Sequence, residues 1–132
     1  MFRQLQAFGP LVVRVGAAAV LIWFGVEQLT NSSEWIGWLP SYATRFIAPE
    51  TLILVNGTFE TAFGLALLAG FHTRIAAGFL SLHMIHILTV VGYGEIAVRD
   101  FGLFAAILSV FLTGSDRFTF DYYREKRRIE RT

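Results

Sequence analysis

Glu50-Thr-Leu-Ile-Leu-Val-Asn56-Gly-Thr-Phe-Glu60-Thr-Ala-Phe-Gly-Leu-Ala-Leu-Leu-Ala-Gly70 is an apolar run of membrane-spanning length with an ionisable carboxylate in its middle. A carboxylate at the centre of a bilayer costs about 2.5–3.5 kcal/mol on insertion scales. Leu52, Ile53, Leu54, Val55, Phe59, Phe63, Leu65, Leu67 and Leu68 each return roughly 0.3–0.6 kcal/mol, so the segment still inserts with a reduced margin. Glu60 must therefore be protonated, paired, or turned toward a polar interior.

Three further apolar runs flank this one: residues 11–29, 75–92 and 96–113, beside 50–70 itself. Each approaches the roughly 20 residues that cross a bilayer. Composition agrees: 55% of the 132 residues are hydrophobic and only 16% charged, where a soluble domain has about a quarter charged. In a soluble four-helix bundle each helix would carry a polar outer face, and here the few polar residues are surrounded by apolar ones. The sequence predicts an all-α bundle of four transmembrane helices in residues 1–114, with a basic tail over 115–132. Pro49-Glu50 suits a helix first turn, Gly70 and Gly92-Tyr93-Gly94 suit stops, and Gly16, Gly57, Gly64, Gly78 and Gly102 suit close helix packing.

Charge placement predicts the orientation. Arg3, Arg74 and the tail Arg124, Lys126, Arg127, Arg128, Arg131 fall on one side of the four spans and assign both termini to the cytoplasm, in a multi-pass protein of the cell membrane. The tail could touch anionic lipid headgroups or RNA, but beside four apolar spans it reads more simply as a topogenic cytoplasmic end; the partner expected for the spans is the lipid bilayer, and no nucleic acid is expected. The loop 30–48, with Trp35, Trp38 and Tyr42 around Pro40, then faces outward as an interfacial segment or a lid. The start of the chain has the outline of a signal peptide, but Ala17, Ala18 and Ala19 lie inside the apolar run, so it reads as a retained span. The absence of cysteine removes disulfides and thiolate ligation.

The remaining polar residues converge. Glu27 ends the first span, Asn56 and Glu60 share a face of the second, His83 and His86 lie in the third, and Arg99 and Asp100 open the fourth. All fall in one half of the bilayer. They either pair to lock the bundle or form an internal site, with Glu60, His83 and His86 as the chemical groups and Asn56, Glu27, Arg99 and Asp100 around them. A glutamate beside histidines can relay protons, since His titrates near neutrality, or hydrogen-bond the carbonyls of a quinone. Arg99 or Arg14 would balance the charge. His83-x-x-His86 with a carboxylate offers metal donors. However, the Glu-x-x-His pairs of di-iron bundles and an HExxH motif are both missing, so neither metal nor haem is expected.

The chain resembles the DoxX-like family of small four-helix membrane proteins over nearly its whole length. The resemblance rests on Arg14-Val15-Gly16 leading to Trp23-Phe24-Gly25-Val26-Glu27-Gln28-Leu29, on Glu60-Thr61-Ala62-Phe63-Gly64, and on Leu67 through Ala77. Arg99-Asp100 and Gly114 with Phe118-Thr119-Phe120-Asp121 complete it. One departure is Gln28, where members often carry Lys. The resemblance implies a membrane component of an oxidoreductase system, one branch being similar to the DoxD subunit of thiosulfate:quinone oxidoreductase. The expectation is a quinone-linked redox subunit that works with other membrane or redox subunits or as a homo-oligomer. A non-enzymatic scaffold subunit and, third, a small proton-coupled carrier are the alternatives.

Overall fold

In a computed structural model, which describes residues 5–131, four long helices account for the apolar runs. They are α1 (Gly9–Thr30), α2 (Pro49–Ala69), α3 (Thr73–Val91) and α4 (Glu95–Thr113), followed by a short α5 (Phe120–Ile129). No strand occurs among the described residues. The limits match the predicted spans to within two residues because the punctuation acts as expected. Pro49 sits in the first turn of α2 with Glu50 beside it, and Gly70 closes that helix in the left-handed conformation at φ 69°.

All four long helices are long and apolar enough to cross a membrane. Val12, Leu54, Val55, Leu65, Leu82, Val98 and Leu112 point outward around the bundle. A continuous apolar exterior of this kind needs a lipid solvent. The chain is a multi-pass integral membrane protein. Its buried core is thin: Ala17, Ala18, Leu21, Leu67, Ala77, Leu80, Met84, Ile107 and Val110.

With so little side-chain volume inside, backbone approach sets the packing, and α1 against α2 is the closest contact. A methyl group added at Gly57 would stand 2.8 Å from the Gly25 carbonyl oxygen and 2.9 Å from Gln28 Cβ; one added at Gly64 would stand 2.8 Å from Ile22 Cγ1. The packing role expected for the internal glycines therefore holds at Gly57 and Gly64. It also holds at Gly78, which faces Phe111, but Gly16 and Gly102 meet open space. Gly25 belongs to the packed set, since a side chain there would strike Thr61.

The end of the bundle that gathers α1's start and α4's finish is locked by polar contacts. Arg14 is 2% exposed; its Nε donates to Asp116 Oδ2 at 2.7 Å, and its Nη1 donates to the Leu67 and Leu68 carbonyls at 2.9 and 2.5 Å. These are carbonyls of α2's last turn, which a cation satisfies well. The tail returns to the bundle as well: the His72 and Thr73 amides and the Thr73 hydroxyl all donate to the Asp121 carboxylate at 2.7–2.9 Å. Asp121 thereby caps the N-terminus of α3 from 48 residues away in sequence. Arg74, read from the sequence as a topogenic charge, also donates to the Leu112 carbonyl at α4's end.

Two outcomes follow. Gly57→Ala should lower thermal stability in detergent by about 1–3 kcal/mol, as overpacking of a filled contact does, while Gly16→Ala should not lower it. Partial burial raises the pKa of Asp121, but the Thr73 hydrogen bonds, the His72 amide and the nearby His72 ring outweigh it and hold the carboxyl below its ordinary range. A lowered folded-state pKa gives stability that is present above the unfolded pKa and lost as pH falls through the folded one. The melting-temperature gap between wild type and Asp121→Asn should therefore be widest near neutral pH and shrink in acid.

Candidate functional site

The close approach of α1 and α2 sets Gln28 of the first helix beside Asn56 and Glu60 of the second. Gln28 Nε2 donates to Glu60 Oε2 at 2.8 Å, and Asn56 Nδ2 donates to Gln28 Oε1 at 2.6 Å and to Glu60 Oε1 at 3.2 Å. From α3, His83 Nε2 lies 2.9 Å from the same Oε1. Three helices thus meet on one carboxylate that is only 3% exposed. The amide assignments are mutually consistent, because Asn56 donating to Gln28 Oε1 turns the Gln28 amino group toward Glu60.

The hydrogen bond between Glu60 and His83 can run in either direction. If Glu60 is ionised, His83 Nε2 carries the hydrogen and donates; if Glu60 is protonated, it donates to a neutral imidazole. Where the ionised form is paired with an imidazolium, one proton shift across 2.9 Å interconverts the two. No lysine or arginine lies within ion-pair distance of Glu60 among the described residues. His83 is the basic side chain within that distance of Glu60.

Glu60 also opens on a cavity of about 370 Å³ at the end of the bundle opposite the Arg14–Asp116 lock. Its walls are mostly apolar, from Leu21, Phe24, Leu52, Ile53, Met84 and Ile87 among others, and its polar groups are Gln28, Asn56, Glu60, His86, Arg99 and Asp100. Ligand sites commonly have this composition, an apolar lining with a few placed polar groups. The loop read as an interfacial segment or lid forms short helical turns at Ser32–Trp35, Ile36–Trp38 and Ser41–Thr44. Trp35, Trp38, Leu39, Pro40 and Ala43 from this loop complete the cavity wall.

The expected residues are only partly brought together. Glu60, Asn56 and His83 bond directly. His83 does not reach the cavity: it stands behind Glu60 with its ring 4.9 Å from that of Phe59. His86 is on the cavity wall and its side chain makes no hydrogen bond among the described residues. Arg99 holds Asp100 at 2.9 Å and lies 5.4 Å over the Phe24 ring, so both sit at the wall without bonding Glu60. Glu27 falls outside the group, since it accepts a hydrogen bond from Asn31 one turn along and does not line the cavity. Arg14 does not balance the site charge, because Asp116 and the α2 carbonyls hold it at the other end of the bundle. Among the described residues no three His, Cys, Asp or Glu side chains are grouped closely enough to hold a metal ion.

Gln28, noted in the sequence only as a departure from the family's Lys, is absent from the expected site residues. It is 4% exposed and is the link between Asn56 and Glu60. The available signal was its helical position, three residues past Gly25 on the face that packs against α2.

A family model described as DoxX matches residues 9–93. The chain belongs to the DoxX family. The matched region takes in α1 to α3 and with them Gln28, Asn56, Glu60, His83 and His86; Arg99 and Asp100 lie beyond it. Neither a curated protein nor a solved structure matches.

Gln28→Leu keeps the volume of this DoxX chain's side chain near Glu60 but removes its donor and acceptor. Leaving Glu60 Oε2 and Asn56 short of partners should destabilise the bundle by about 1–3 kcal/mol, measured by thermal unfolding in detergent.

Proposed function

We propose that this chain is a membrane subunit of a quinone-linked redox system, with the cavity taking a quinone head and the Glu60–His83 pair handling a proton beside it. The observation that carries this reading is that Glu60 lines the cavity and also bonds His83, which does not line it. A carboxyl so placed exchanges a proton with a bound molecule on one side and with an imidazole on the other.

The lining suits such a head group. Phe24, Trp35, Trp38 and Leu21 offer apolar faces, while His86, the protonated form of Glu60 and the outward guanidinium of Arg99 offer hydrogen-bond donors. When bound, a quinone supplies two-electron chemistry in which each carbonyl takes up one proton. The chain's own residues would orient the ring, exclude water and hold one of those protons at Glu60. The electrons come from a partner that carries a redox centre. In the same reading the loop 30–48 faces outward and both ends of the chain lie in the cytoplasm, at the cell membrane.

One observation favours the scaffold alternative: Glu60 already accepts from Gln28 and Asn56 and shares a hydrogen bond with His83, as a purely structural lock would. The two readings separate on ligand binding. Trp35 and Trp38 line the cavity, so titrating the purified protein in detergent with a short-chain ubiquinone analogue should quench tryptophan fluorescence saturably. His86→Ala removes a donor from the cavity wall without touching the Glu60 network, and should weaken that binding about tenfold, the scale of one hydrogen bond at about 1.4 kcal/mol, with the melting temperature retained. No saturable quench in the wild type, together with altered subunit assembly in Glu60→Gln, would favour the scaffold.

A further inference from the structure

The tail helix α5 carries a charge pattern that the cavity does not use. At 100° per residue, Phe120, Arg124, Arg127 and Arg131 fall at spacings of four, seven and eleven residues, within a stripe about 60° wide, and Arg128 borders it. Arg131 lies two residues past the end of the helix. Glu130 keeps right-handed helical backbone angles and the Arg131 amide donates to the Arg128 carbonyl at 3.4 Å, so the stripe continues. Glu125 and Glu130 project to other sides, with Glu130 meeting Lys126 at 4.0 Å. Among the described residues none of the four arginines has a carboxylate within ion-pair distance.

The position of this helix is constrained. Six residues separate it from the last residue of α4, and its first turn is tied to the bundle where the Asp121 amide donates to the Gly70 carbonyl at 3.0 Å. Phe120, at the head of the arginine stripe, has its ring 5.9 Å from that of Phe71, a residue of the α2–α3 turn that is itself half exposed. The arginine stripe therefore starts from a residue that contacts the bundle end at the α2–α3 turn.

We propose that the Arg124, Arg127, Arg128 and Arg131 face of α5 docks on the anionic phosphate headgroups of the surrounding bilayer, laying the tail helix along the membrane surface. Guanidinium groups suit this partner because their planar fork pairs with phosphate oxygens two bonds at a time. Phe120 and Phe118 supply apolar contacts at the same level, in the manner of interfacial helices. Each arginine held near an anionic surface is worth about fivefold in binding, and the contribution falls with salt. This docking does not depend on what occupies the cavity.

The test is hydrogen exchange on the full chain in two nanodiscs, one of phosphatidylcholine alone and one with phosphatidylglycerol added. Amides of residues 122–131 should exchange at least about tenfold more slowly in the anionic disc, and high salt should abolish the difference. The variant R124Q/R127Q/R128Q/R131Q should lose the protection, whereas R124K/R127K/R128K/R131K should keep most of it; α1–α4 amides report that both remain folded. Equal exchange in the two discs, or undiminished protection in the glutamine variant, would overturn the proposal. Protection by an added RNA oligonucleotide in the neutral disc, with none from phosphatidylglycerol, would overturn it in favour of a nucleic-acid surface.

Discussion

A carboxylate removed from water has to find its hydrogen bonds within the protein, and at Glu60 this requirement organises three of the four spans. Gln28 comes from α1, Asn56 from α2 itself and His83 from α3. The bond from Gln28 would not reach if the first two helices kept an ordinary separation. Gly25, Gly57 and Gly64 remove the side chains that would hold them apart. Small residues at a membrane helix contact therefore act here for a polar site as well as for dispersion contact, which is the usual account of such packing.

The two ends of the bundle solve different problems. At one, Arg14, Asp116, Thr73 and Asp121 tie helix termini together, with Arg14 and Thr73 fully buried. Breaking a buried pair such as Arg14 with Asp116 costs about 3–5 kcal/mol, so this end is held firmly. The other end has no comparable lock. Short helical turns and two tryptophans close over a cavity instead, and Arg99 stacks on Phe24 while Phe24 meets Trp35 edge-on. A firm end and a covered, hollow end suit a protein that holds a polar site at fixed depth while a molecule enters from one side.

Membership of the DoxX family and the four spans were legible in the sequence because both rest on linear features. Length of apolar run, proline and glycine at the ends, and the order of short motifs need no knowledge of contacts. The polar convergence was legible in outline: helix direction and 1.5 Å of rise per residue place Asn56, Glu60 and His83 at a shared depth. Depth alone carries no rotation, however. It therefore grouped Glu27 with the site, although Glu27 bonds Asn31.

The sequence by itself determined that this is a bundle of apolar helices with an acid and two imidazoles inside the spans, because hydrophobic length and residue chemistry are properties of the chain. Tertiary structure decided which of those groups touch. Rotation of each helix about its axis, set by where glycine allows close approach, brought Gln28 to Glu60, put His83 behind it and left His86 on the cavity wall. It also returned Asp121 to cap a helix 48 residues earlier, a contact that charge and hydropathy along the chain do not encode.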